Sequence, residues 1–420
     1  MSKSVSVLTG CQTIVGLLLA ACLALPGAAF ARVHVWPAKF VSINDGDTID
    51  ARINGRVQTV RLSNVQAMEQ HTYNAKHRTG ECNAVEATVR LEQLIHESHG
   101  RLRLSAQDPR SRSDVRLRRS VAVRIHGHWR DTGRILIREG HAIFMSGQIE
   151  DRWNKIYNEA EQRARLDGKG LWDPTHCGSG PFQDVPLRLW VNWDPPGIDS
   201  ENVNGEYVKI QNNGTRTVEL GGWWLRDSLL RRFTFPRGTQ LAPGHTLTLH
   251  VGHGTSSDDT FYWGLDGPAF ENAYGRSDPR DGRNRGDGAY LFDPQGDIRA
   301  AMIYPCLVAC TDPNAGALQV TAHPRRPESL FVRNVSDHPI DLYGYELALH
   351  GSSYDFGEWP ALAPGQTLEV DVDGDPADDT ALHRYWGLNR LVLPDAGGTV
   401  RVQTFDSITL ACDAWGSGSC

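Results

Sequence analysis

The sequence predicts a multidomain chain in which an α+β domain built on a small barrel precedes two all-β sandwiches. Three observations predict this. The front third interleaves strand-like runs with amphipathic helical stretches. The remainder is made of short alternating runs between Gly, Pro, Asn and Asp turns, with no amphipathic helix. That remainder also repeats itself at an offset of about 122 residues, which indicates tandem domains and not a solenoid.

The elements follow in order. Residues 1–31 read as a signal peptide: Lys3 gives a positive start, Thr13 to Pro26 is nearly all apolar, and Ala29-Phe30-Ala31 is a cleavage signal. The apolar run is too short for a spanning helix. Cys22 after Leu19-Ala20-Ala21 offers a lipid-anchored alternative to secretion. The barrel domain is assigned to 32–177. Val41 to Ile53 and Val57 to Val65 predict two strands around the Asn54-Gly55 turn. Asn83 to Ser98 predicts a helix with Ala84, Ala87, Leu91, Leu94 and Ile95 on one stripe, stopped by Gly100. Val121 to Ile125 predicts a strand. Asp131 and Thr132 are N-cap candidates for a short helix ending at Gly140. Gln148 to Leu166 predicts a helix with Ile149, Trp153, Ile156, Ala160 and Ala164 facing the core, ended by Gly168.

Residues 178–186, opening on Gly178-Ser179-Gly180-Pro181, read as a linker. The sandwiches are assigned to 187–312 and 313–420. The first copy carries Leu220-Gly221-Gly222-Trp223, Leu241-Ala242-Pro243-Gly244 and Tyr262-Trp263-Gly264-Leu265. The second answers with Leu342-Tyr343-Gly344-Tyr345, Leu362-Ala363-Pro364-Gly365 and Tyr385-Trp386-Gly387-Leu388. Six cysteines follow the leader, an even number that suits disulfides in an exported chain. Their spacing invites Cys82–Cys177, Cys306–Cys310 and Cys412–Cys420, although sequence does not fix connectivity. A zinc site is disfavoured because no C-x2-C pair exists.

Charge divides the chain. Arg32 to His176 holds 24 Lys/Arg against 18 Asp/Glu, or +6, whereas Cys177 onward holds 18 against 32, or −14. A basic front half with Arg101, Arg103, Arg110, Arg112, Arg116, Arg118, Arg119 and Arg124 suits a phosphate-bearing partner or a solvated face. The chemistry-bearing residues lie in the same half. Asp45-Gly46-Asp47-Thr48 puts two carboxylates on a tight turn, Arg61 follows on the next strand, and Glu69 lies just past it. Phosphodiester hydrolysis needs an activated water, a cation and donors for the developing charge, and these residue types supply them.

Together with Arg119, Ala164 and Gly170-Leu171-Trp172, these residues resemble the staphylococcal (micrococcal) nuclease, or thermonuclease-like, family. The spacing from Asp47 to Arg61 and Glu69 matches without gaps. The resemblance implies a five-stranded OB barrel with three helices. It implies Ca2+ binding by Asp47 with Asp45 in the outer shell, water positioning by Glu69, and a phosphate clamp of Arg61 and Arg119. The match at Arg119 needs a one-residue gap, so Arg118 is a rival. At Gln66 the family has an aspartate that binds Ca2+ directly; an amide oxygen still coordinates but brings no charge. Met68 stands where the family has proline. The rear repeats, through Asn202 to Val208, Leu220 to Trp223 and Leu241 to Gly244, resemble lamin-tail domains, which are immunoglobulin-like sandwiches.

Other candidates are weaker. His126 and His128 alternate and read as solvent-facing strand residues. Asp371, Asp373, Asp375, Asp378 and Asp379 resemble a calcium loop, but its glycine falls at the wrong place and Leu382 stands where the glutamate should be, so a hairpin tip is favoured. Asp199, Asn202 and Asn204 read as turn formers. Trp223, Trp224, Trp263 and Trp386 read as sandwich core. The expectation is an exported, Ca2+-dependent nuclease acting on DNA or RNA, with two sandwiches for binding or anchoring to a surface or protein partner. The alternative is a weakened or inactive relative that binds extracellular nucleic acid.

Overall fold

The computed structural model describes residues 33–70, 81–173, 175–176, 186–195, 197–272, 286–404 and 407–420. The expected signal peptide, Cys22, Cys177 and most of the expected linker lie outside the described residues.

Five alternating strands close on themselves. They are β1 (His34–Asp45), β2 (Thr48–Ile53), β3 (Arg56–Leu62) and, after the short β4 (Val65–Ala67) and the helix α1 (Ala84–Glu97), β5 (Arg101–Ala106) and, past the two-residue β6 (Arg112–Ser113), β7 (Arg116–Ile125). The order runs β3-β2-β1-β5-β7, and β3 pairs again with β7 to shut the barrel. This closing pair is parallel, with Val60, Arg61 and Leu62 opposite Leu117, Arg118 and Arg119. The chain continues through β8 (His128–Asp131), α2 (Thr132–Arg138), β9 (Ala142–Phe144) and α3 (Asn154–Leu166). Inward residues such as Ile49, Val60, Leu62, Leu104, Val121 and Val123 form the core, capped by Leu91 and Leu94 of α1.

The strand expected over Val41 to Ile53 is in fact two. Asp47 N–H donates to Asp45 Oδ1 (3.0 Å), a local turn that folds β1 back onto β2. Helix α1 buries the expected stripe. Helix α2 is capped as expected, with Arg134 N–H donating to Asp131 (2.9 Å), and the chain turns at Gly140. Gly170 sits so close to Gly140 that a Cβ would lie 2.4 Å from the Gly140 carbonyl oxygen, which is why glycine opens the Gly170-Leu171-Trp172 closure.

Helix α3 departs from expectation. It starts at Asn154, and Ile149 and Ile156 are 54% and 44% exposed. Asn158, Glu161 and Gln162 are buried instead, because the helix lies between the barrel and the first sandwich. Asn158 donates to the Tyr304 carbonyl (3.1 Å), Gln162 donates to the Pro305 carbonyl (2.9 Å), and Tyr290 O–H donates to Glu161 (2.9 Å).

The rear half is built of β-sheets, as expected. One pair of sheets has the orders Leu187–Asn192, Tyr207–Asn212, Thr246–His250, Thr260–Tyr262 and Arg232–Thr234, Trp224–Arg226, Asp287–Phe292, Ile298–Tyr304. The next pair repeats this plan with Leu318–His323, Ser329–Asn334, Thr367–Asp371, His383–Tyr385 and Ser352–Asp355, Tyr345–Leu349, Gly397–Thr404, Thr409–Gly416. Each pair of sheets encloses its own apolar core, with Trp223 buried in the first and Trp386 packed against the second. Trp263 also packs against its core, but Trp224 turns outward, toward the barrel. Cys306–Cys310 and Cys412–Cys420 are disulfides, and Cys82 is disulfide-bonded.

Candidate functional site

The turn between β1 and β2 places Asp47 under the barrel rim, 1% exposed. Gly46 makes this possible, since a Cβ there would lie 2.8 Å from both Ala67 and Ala87. Register then carries Arg61 to Asp47, because Thr48 pairs with Arg61 across β2 and β3. The Arg61 guanidinium bonds Asp47 Oδ1 and donates to Gln66 Oε1 (2.6 Å). Asp47 also accepts from Thr48 Oγ1 (3.0 Å) and from Ala67 N–H (2.9 Å). Gln66 turns its amide nitrogen to the Ala67 carbonyl (2.8 Å) and to Glu69 Oε1 (3.0 Å). Asp45, Asp47, Arg61, Gln66 and Glu69 are therefore brought together.

Arg119 is not part of this group. Strand alternation turns it to the other side, where it donates to the carbonyls of Pro109 (2.6 Å) and Ser111 (3.1 Å) and lies over the Trp36 ring (4.8 Å). Arg118 takes the place expected of it, directly opposite Arg61 in the parallel pair. Arg118 is half-buried, and its buried Nε has no hydrogen-bond partner among the described residues. Burial and the neighbouring Arg61 charge hold its pKa below the usual arginine range. Two adjacent guanidiniums with an unfilled donor are an anion-seeking arrangement.

The carboxylates are shifted the other way. Burial raises Asp47 to about 7, against the pull of Arg61. Burial also raises Glu69, again opposed by Arg61 and aided by Asp45 and Glu81. A carboxylate with a raised pKa is a better proton acceptor near neutrality.

Residues 59–174 match the family model described as staphylococcal nuclease homologue, and residues 194–305 match the lamin tail domain model. The chain carries a staphylococcal-nuclease-like domain followed by a lamin tail domain. The first match takes in Arg61, Gln66, Glu69 and Arg118 and begins after Asp47. No curated protein matches the chain.

The nuclease-like family implies calcium, but the residues of this domain do not fit the ion as arranged. Asp47 Oδ1 is taken by Arg61 and Thr48, and Oδ2 accepts from Ala67 N–H. The Gln66 –NH2 group, a donor, occupies the gap between the Ala67 carbonyl and Glu69 that a cation would have to enter. Among the described residues, the set of His, Asp and Glu side chains close enough to hold a metal lies elsewhere: Glu369, Asp371 and His383 of the second sandwich. There His383 and Ser329 already bond Asp371 (2.8 and 2.5 Å). Asp375 caps a turn and Asp379 accepts from Tyr385 N–H (2.8 Å), consistent with the hairpin-tip expectation. His126 is exposed on the turn after β7, and His128 is exposed at the start of β8.

The sequence reading missed Glu81. Glu69 N–H donates to Glu81 Oε2 (3.0 Å), and Glu81 N–H donates to the Glu69 carbonyl (2.8 Å). No spacing rule marks Glu81, because twelve residues separate it from Glu69 and the contact is tertiary.

Proposed function

We propose that the nuclease-like domain binds the phosphodiester backbone of DNA or RNA and hydrolyses it without calcium. The observation that carries this is the side-by-side pairing of Arg61 and Arg118. Arg61 uses only part of its five-donor fork on Asp47, Gln66 and Val65, and Arg118 has an unfilled nitrogen. A bound phosphate accepts from both, which neutralises charge building on its non-bridging oxygens. Glu69 takes the proton of the attacking water. Asp47 fixes Arg61, and Gln66 fixes both Arg61 and Glu69.

The calcium dependence implied by the resemblance is replaced in this reading by Gln66. The test is cleavage of single-stranded DNA and RNA by mature protein, in millimolar Ca2+ and in chelator. Slow cleavage of equal rate in both supports the reading. Intact substrates at high protein loading in both conditions overturn it. Gln66→Asp restores a second carboxylate, and the expected result is a gain of Ca2+-dependent cleavage.

A second reading, binding without cleavage, is favoured by the closed hydrogen-bond network around Asp47. Its mark is salt-sensitive binding with no product at any metal concentration. Export is part of the proposal, supported by the leader-like segment at 1–31 and the disulfides. So is a lamin-tail origin for the second sandwich, which rests on the internal repeat and the shared sheet order.

A further inference from the structure

Behind Glu69 the hydrogen-bonded chain does not stop at Glu81. The Glu81 carboxylate receives Arg226 Nη1 from the lamin tail domain, at 3.0 Å to each oxygen. The two side chains are 0% and 2% exposed. Arg226 is itself steadied by its Nε, which donates to the Asp227 carbonyl (3.0 Å). Met68, the residue before Glu69, is buried in the same contact, with its sulfur 3.9 Å from Arg226 Nη1. One continuous path thus runs from a strand of the sandwich, through Glu81, to the backbone of Glu69.

This ion pair stands out against its surroundings. Around it the contact is mostly apolar and aromatic, with Trp172, Trp224, Phe292 and Ile298 among its members, and its other polar links include single hydrogen bonds from Asn158, Gln162 and Tyr290. Desolvating two charges is costly, and a contact selected for adhesion alone gains as much from well-packed apolar groups. The repeat supplies an internal control. Trp224 and Phe292 pair in the first sandwich as Glu346 and Gln403 pair in the second, which sets Ala348 opposite Arg226 in the duplicated plan. The arginine is therefore specific to the copy that meets the barrel.

We propose that Arg226 of the lamin tail domain is a positioning residue for the nuclease-like site. Through Glu81 it fixes the main chain at Glu69, so that the carboxylate stands where Gln66 and the attacking water need it. The lamin tail domain is then a structural part of the site and not a detachable tether. This role rests on the phosphodiester-directed reading above.

The test uses the full mature chain. The double variant Glu81→Met/Arg226→Met exchanges the buried pair for apolar side chains of similar length, so no charge is left unpaired. The expected result is a fall in kcat of about 10- to 100-fold with KM unchanged, the signature of a displaced reacting group. Arg226→Lys, which keeps the charge but loses the fork, is expected to fall between. A folded double variant that keeps the wild-type kcat overturns the proposal.

If the wild-type chain does not cleave, the function reading fails but the positioning claim is still tested. Hydrogen exchange of the Glu69 amide reads it directly. Faster exchange at Glu69 in Arg226→Met, which keeps the Glu81 acceptor, with β1 to β3 unchanged, supports it. Unchanged protection at Glu69 overturns it.

Discussion

The two sandwiches share one plan and differ on a single face. In the first, the residues that point outward from the second sheet are Trp224, Arg226, Tyr290 and Phe292, and the barrel covers them. In the second, the matching positions hold Glu346, Ala348, Arg401 and Gln403, and Glu346 accepts from Gln403 (2.8 Å). Their inward residues stay alike: Leu225 answers to Leu347, and Trp223 to Tyr345. The two copies have the same kind of core and differ in the face that decides each one's neighbour. The pattern is what burial energetics dictates, since inward positions are fixed by packing and outward ones are free to take the chemistry of a partner.

The comparison is broken most severely at Arg226. Arg226→Met alone leaves the Glu81 carboxylate buried without its guanidinium, and the expected loss is about 3–5 kcal/mol of stability in denaturant unfolding. Equal stability would mean that the pair is not buried in solution. Trp224→Ala is next. Its ring stacks on Phe292 (5.3 Å between centroids), carries Arg232 on its face (3.9 Å) and packs against the barrel. The expected cost is about 3 kcal/mol, seen as a lower denaturation midpoint.

Glu161 gives a pH signature to the same contact. Burial pushes its pKa up to about 8, with Tyr290 O–H, Phe144 N–H and Arg165 opposing the rise and Asp287 adding to it. A raised carboxyl binds more protons folded than unfolded. Stability is therefore highest below about pH 4.5 for this group and falls as pH climbs toward 8. The expected decline is on the order of a few kcal/mol, and Glu161→Gln flattens it. A wild-type melting profile that is flat between pH 5 and 8 would sink this claim. The smallest effect belongs to the second sandwich: Glu346→Gln is expected to change stability by less than about 1 kcal/mol and to leave the barrel untouched. A large loss there would erase the contrast between the copies.

Much of the fold is legible in the sequence because it depends on local signals. The Asn54-Gly55 turn, the α1 stripe, the Asp131 cap and the repeat all follow from periodicity and turn chemistry. The single strand over Val41 to Ile53 misled because Val41, Ile43, Ile49, Ala51 and Ile53 keep one alternation across the Asp45-Gly46-Asp47 turn. The face of α3 misled because a helix packed on two sides keeps only a narrow solvent stripe, so Asn158, Glu161 and Gln162 are buried by partners distant in sequence. Alternation says that Arg118 and Arg119 cannot both meet Arg61. Only the β3–β7 register says which one does, and register is a tertiary property. Trp224 carried a usable signal: an aromatic at an outward strand position marks a covered face.

The strand that holds Arg226 is brief, Trp224–Arg226, yet one guanidinium in it complements a charge in another domain. Genetic shuffling that moved either module to a new neighbour would carry half of a buried ion pair into a setting without its mate. Two domains that follow one another along the sequence are bound by that pair to travel together.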